Sequence, residues 1–223
     1  MAATDYDFNS TRNEIIERAL RIVGALSTGE TVSAEMVEQG RISLNHLVKT
    51  WQSDNLFLWT LVPQTQALTA TVASYSLPTD PAVIAIDKAY LRISNNDTPV
   101  EVISYRNYID IPNKTDPGDP VAVTVNNAIS PTMYVYPVPA TSRTLYYLAI
   151  VKLKDMDTAA GNANFPTQYL DALVYGLAAN LADEYGLPIS ERELLVNKAR
   201  QFYAVAKKSN RDRSDYEFVD GAF

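Results

Sequence analysis

Few side chains in this chain of 223 residues are of types that do covalent or metal chemistry. It has one histidine and no cysteine, which excludes disulfides, thiol nucleophiles, Fe–S clusters and cysteine zinc sites. His46 falls on a helical wheel roughly opposite the stripe Val37, Leu44, Val48 and Trp51, so it faces solvent or a partner. No Ser and Asp pattern accompanies it, and a triad has no support. Two acidic pairs, Asp183-Glu184 and Asp155/Asp157, have the residue types of a glycosidase dyad. The first sits where a helix ends and the second in a loop, settings that ordinary solvated acids also occupy. The eight glycines form neither a phosphate loop nor a dinucleotide fingerprint. The expectation is a protein that is no enzyme and takes no cofactor or metal.

Aromatic and basic groups are the more informative. The chain carries 14 tyrosines, and Tyr134, Tyr136, Tyr146 and Tyr147 crowd into what reads as one β-hairpin. Alternation puts Tyr134 and Tyr136 on one face and splits Tyr146 from Tyr147. Tyrosine suits both cores and interfaces, which makes Tyr134, Tyr136, Tyr146 and His46 candidate contacts to other subunits or a partner. Between positions 198 and 213, Lys198, Arg200, Lys207, Lys208, Arg211 and Arg213 face only Asp212. That excess of five positive charges leaves −12 on the rest of a chain whose formal charge is −7. After it come Tyr216, Phe218, Val219 and Phe223, a polar-then-aromatic tail able to dock as an extended strand.

The elements that must hold these groups follow from periodicity. Thr11 and Glu14 have capping-box spacing, and Ile15, Ala19, Ile22, Val23 and Leu26 follow at helical intervals to a stop at Gly29. A second helix is expected from Ser33 to about Asn55. From Val62 the period shortens, and nine of twelve prolines fall from Pro78 to Pro139. About six strands are expected, among them Val83–Ile93, Val121–Val125, Thr132–Val138 and Thr144–Lys152, with the last two forming a hairpin across Pro139–Arg143. Helix resumes after Pro166 to a stop at Gly186, and a second capping box, Ser190 and Glu193, opens the last helix to about Ser209. The fold class is therefore α+β: a four-helix body from residues 1–61 and 155–209, an inserted β module (small sandwich or open barrel) at 62–154, and a docking tail at 210–223. The start, MAATDYDF, lacks a charged-then-apolar leader, and the longest apolar runs are too short to span a bilayer, so synthesis in the cytoplasm is expected.

The strand TLYYLAIVKL, an acidic linker and then FPTQYLDALVYGLAANLADEYGLP together resemble the head-to-tail adaptor (connector) proteins of tailed bacteriophages. Within that group the likeness is to the packaged-DNA-stabilisation, or head-completion, proteins of short-tailed phages. Tyr147, Pro166, Tyr169, Ala172, Tyr175, Ala178, Ala182, Glu184 and Tyr185 carry the pattern, with Trp51 and the segment PTMYVYPVP in keeping. The resemblance implies a structural virion protein of the head–tail neck. About twelve copies would form a ring beneath a dodecameric portal, extend and seal the DNA channel after packaging, and offer a platform to the next tail or nozzle protein. Packaged duplex DNA would pass through the lumen without sequence-specific binding, and no membrane would be involved. The portal-docking residues implied are Arg211, Arg213, Tyr216, Phe218, Val219 and Phe223. Alternatives are a tail-completion ring component, a peptidoglycan hydrolase acting during DNA entry, and a basic-tailed DNA-binding protein, which the overall −7 disfavours.

Overall fold

A computed structural model describes residues 10–53, 60–126, 128–157 and 165–209. The chain divides into two compact units, Met1–Leu58 with Leu153–Phe223, and Trp59–Lys152. The fold is α+β, with helices concentrated in the first unit and a curled sheet in the second.

The first unit contains α1 (Arg12–Val23), α2 (Ala34–Ser53), α4 (Leu170–Glu184) and α5 (Ile189–Ser209). The Thr11 capping box is real: the Glu14 amide donates to the Thr11 hydroxyl (3.3 Å), and the Thr11 amide donates to the Glu14 carboxylate (2.8 Å). α1 stops earlier than the sequence pattern predicts. Gly24 takes the left-handed φ of 78°, and the Ala25 amide donates to the Leu20 carbonyl, so a Schellman closure ends the helix five residues before Gly29. α5 starts earlier than predicted, because the Pro188 carbonyl already accepts from Glu191 and Arg192; Ser190 lies inside the helix and caps nothing. A 3-10 turn, Thr167–Tyr169, intervenes between Pro166 and α4.

α4 is the buried axis of this unit. Ala172, Leu173, Leu177, Ala178, Leu181 and Ala182 are excluded from solvent, and α1, α2 and α5 all pack on it. Gly176 permits the α2 approach, since a Cβ there would lie 2.8 Å from a Leu47 methyl. Trp51 closes one end against Phe165, Tyr169 and Tyr203, with ring centroids 4.8–6.3 Å apart.

Residues 153–157 lie across α1 and α2 as a strap. Arg12 is the one charged side chain among the described residues that is buried; its guanidinium donates to the carbonyls of Met156 (3.3 Å) and Asp157 (2.5 Å). The Asn45 side-chain carbonyl accepts from the Met156 amide (2.8 Å), and Lys49 donates to the Leu153 carbonyl (2.9 Å). Arg41 pairs with Asp157 and Lys49 with Asp155.

The second unit holds β1 (Leu61–Leu68), β2 (Ser74–Ser76), β3 (Val83–Ile93), β4 (Asn96–Val102), the short α3 (Tyr105–Ile109), β5 (Pro117–Gly118), β6 (Ala122–Val125), β7 (Thr132–Tyr136), β8 (Val138–Pro139) and β9 (Arg143–Val151). Seven strands form one sheet in the order β1-β9-β3-β4-β6-β7-β2, and β5 pairs with β8 separately. The β7–β9 hairpin expected from the sequence does not form. Each strand has two hydrogen-bonding edges, and β7 gives both to β6 and β2 while β9 gives both to β1 and β3. β8 intervenes and leaves toward β5.

The sheet curls as an open half-barrel. Leu68 on β1, Leu91 on β3, Val100 on β4, Val123 on β6, Met133 and Val135 on β7, and Leu145 and Ala149 on β9 meet in one core. Two register shifts between β3 and β9 bend the strands and bring both Ile86 and Ala89 inward. The connection from β1 to β2 is held by Tyr75, whose hydroxyl accepts from the Thr69 amide (3.0 Å) and donates to the Val72 carbonyl (2.8 Å). Tyr147 points into this core, and its buried hydroxyl has no hydrogen-bond partner among the described residues.

Two outcomes are expected. Arg12→Ala strips the strap of its buried donor and should lower unfolding stability by about 1.5–3 kcal/mol in urea titration, whereas Lys49→Ala, at an exposed pair, should cost under about 1 kcal/mol. Tyr147→Phe removes a hydroxyl that pays desolvation without return and should be neutral or stabilising by up to about 1 kcal/mol; a lowered denaturation midpoint would contradict this.

Candidate functional site

The hairpin of β3 and β4 turns through Ser94 and Asn95, both with positive φ, which fixes the register Arg92↔Asp97 and Tyr90↔Pro99. On the other side β9 places Tyr146 beside Tyr90. The two rings stack at 5.1 Å, 5° from parallel, and the Arg92 guanidinium lies 4.9 Å from the Tyr146 centroid and 5.5 Å from that of Tyr90. Asp97 holds the guanidinium in place by two hydrogen bonds, 2.6 and 2.8 Å, and these hold its carboxyl below the usual carboxylate range. Tyr146 thus belongs to a preorganised aromatic–cation platform on the outer face of the sheet, bordered by a groove that includes Pro63, Thr65 and Leu148. Tyr90, Arg92 and Asp97 are absent from the candidates drawn from sequence. The alternation of Tyr90 with Arg92 and the Asn-rich turn before Asp97 were the signals that could have found them.

Tyr134 lies elsewhere in the sheet, within 5.5 Å of Tyr105 and 5.2 Å of Tyr108 on α3. Burial, followed by the neighbouring Tyr105, raises its phenol above the ordinary value. Tyr136 is half-buried opposite Ala122. These two tyrosines and Tyr146 are therefore not one cluster, for the same reason that the β7–β9 hairpin is absent. Arg211, Arg213, Tyr216, Phe218, Val219 and Phe223, with the rest of the 210–223 tail, lie outside the described residues.

His46 is exposed on α2 at the rim of a hollow of about 1030 Å³ between α2, α4 and α5. Ile42 and Val196 supply apolar wall, and Asp183, Glu184 and Tyr185 supply the polar side. The carboxylates that matched a dyad by type are occupied structurally: Asp155 and Asp157 fasten the strap, and Asp183 pairs with Arg192. No group of three or more metal-ligating side chains occurs among the described residues, and no described helix is long and apolar enough to cross a membrane.

The model of the SU10 adaptor protein family matches residues 10–217, and the chain belongs to that family. A search of curated proteins finds no match. The family name marks a bacteriophage adaptor, in accord with the resemblance seen in the sequence, and implies a structural component of the virion.

Of the tyrosines that carry that resemblance, Tyr147 and Tyr169 are core residues. Burial pushes the Tyr147 phenol up and that of Tyr169 up to about 12; burial, then Glu184 and Glu35, raises Tyr185. A folded-state value above the unfolded one gives stability that is complete below about pH 10 and is lost as pH climbs toward 12. Alkaline titration at 295 nm should show a late-ionising tyrosine fraction, Tyr169 among it, that titrates only as pH climbs toward 12. Ionisation of every tyrosine near pH 10 in the native protein would contradict this.

Proposed function

We propose that this protein assembles as a ring of about twelve copies beneath the portal of a phage head, extends and seals the DNA channel after packaging, and presents a platform to the tail. The observation that carries this reading is the family match over nearly the whole described chain. The surfaces support it. Copies placed side by side in a ring touch through two different faces, and the chain has chemically different faces to offer. The net charge of −7 per copy suits a conduit through which duplex DNA must slide without being gripped.

In this mechanism the portal supplies a symmetric template. The tail at 210–223, basic at Arg211 and Arg213 and aromatic at Tyr216, Phe218 and Phe223, docks on the portal, while Val219 adds apolar area. Individually weak contacts between neighbours then sum to a durable ring. The outer face of the sheet, with Tyr90, Tyr146 and Arg92, is the surface offered to the next tail component, while Tyr134 and Tyr136 form a separate patch on β7.

Electron microscopy of purified portal mixed with this protein should show density capping one face of the portal. A chain truncated after Ser209 should keep its circular dichroism spectrum and lose capping. Equal decoration by the truncated chain would refute tail docking. Bare portals beside decorated tail ends would instead assign a tail-completion role.

A further inference from the structure

The ring reading leaves open which two faces meet, and the helical unit carries a pair that match in shape, charge and polarity. One is convex. Along α5, Leu194, Lys198, Gln201, Val205 and Lys208 recur every three to four residues on the side turned away from the core. Leu194 is 63% and Val205 67% exposed, unusual for aliphatic side chains in a well-packed helix pair. Lys198 lies between them and Lys208 follows Val205, so aliphatic and basic groups alternate along the ridge.

The other is concave. The hollow beside His46 has an apolar floor that includes Ile42, itself 45% exposed, and Val196, and an acidic side at Glu184. Glu35 adds to the negative field there, since Tyr185 on the hollow's wall feels both Glu184 and Glu35. The hollow, about 1030 Å³, is open to solvent along one side. The ridge from Leu194 to Val205 spans about 16 Å, or three turns. Leu194 and Val205 also lie roughly 160–180° around α5 from Val196, at 100° per residue. Ridge and hollow therefore face in opposite directions on one unit, so a copy cannot fill its own hollow with its own ridge.

We infer that the α5 ridge of one copy seats in the α2–α4–α5 hollow of the next, with Lys198 and Lys208 set against Glu184 and Glu35. This is a heterologous contact, which propagates from copy to copy and closes only as a ring. It rests on the adaptor reading for its place in the particle, but the contact itself is a property of this chain alone.

The absence of cysteine makes it directly testable. Val205→Cys and Ile42→Cys change exposed positions and should leave the fold intact. Mixed under a mild oxidant, the two single variants should form a disulfide-linked dimer at least about tenfold faster than either variant alone, because seating raises the local thiol concentration. The double variant should give a ladder of linked multimers on a non-reducing gel. Added salt should slow the reaction, and Glu184→Lys should slow it further. A mixed-pair rate no higher than that of the single variants alone would overturn the inference, as would a Val205→Cys self-dimer that forms faster, the mark of a two-fold contact. A ladder without portal capping would keep this contact and remove the adaptor reading; capping without a ladder would do the reverse.

Discussion

A single buried cation underlies the integrity of the helical unit. That unit is built from two stretches of chain separated by the 94 residues of Trp59–Lys152, and the second stretch must be fastened where it returns. Arg12 does this from the first turn of α1, by giving a buried guanidinium two backbone carbonyls on the strap. A buried guanidinium without acceptors would cost several kcal/mol, so the strap is as necessary to Arg12 as Arg12 is to the strap. Asn45, Arg41 and Lys49 then fix the register of the strap along α2. Only after that fixing can Phe165 and Tyr169 reach Trp51, and α4 take its place as the buried axis.

The second unit solves a different problem. A seven-stranded sheet with one apolar face and no helix layer of its own must cover that face by curling. The β-bulges in β3 and the parallel pairing of β4 with β6, made through a connection that contains α3, produce the curl. The outer face is then free to carry groups that do not contribute to the core. The Tyr90–Tyr146 stack, roofed by an Arg92 that Asp97 holds rigid, is such a group. Rigidity matters there, because a preorganised aromatic and guanidinium surface loses less conformational entropy when a partner arrives.

What could be read from sequence divides along the range of the interactions. The Thr11–Glu14 box, the helical stripes, the Gly186 stop and the strand Val83–Ile93 depend on neighbours a few residues away, and they stand in the structure as the pattern indicated. The end of α1 was misplaced because Gly24 and Gly29 both take positive φ, and only the Schellman bonds at Gly24 decide between them. Ser190 looked like a cap because its spacing to Glu193 is right; Pro188, two residues earlier, already begins the hydrogen bonding. Strand pairing was the larger loss. Nothing local tells β9 to sit between β1 and β3, because the gain is the shared burial of Leu68, Leu91 and Leu145, contacts separated by more than 20 residues. The same gap hid Asp155 and Asp157, whose partners Lys49 and Arg41 lie more than 100 residues away.

The separation of roles between the units bears on how such a protein can assemble reversibly and still hold. If the cores alone used up all apolar surface, copies would have nothing to offer one another; if large apolar patches were exposed, they would aggregate before meeting a template. The helical unit takes a middle course: isolated aliphatic groups on α5 interspersed with lysines, and apolar groups beside acidic ones in the hollow. In the proposed contact, lysines on the ridge and carboxylates at the hollow raise the rate of correct encounter and oppose ridge-to-ridge or hollow-to-hollow pairing, since like charges would then face each other. In the proposed ring such a contact is weak for a pair and strong once the ring closes, because the last subunit to enter makes two contacts at the entropic cost of one. A symmetric platform that gathers copies at high local concentration is then enough to convert monomers into a ring.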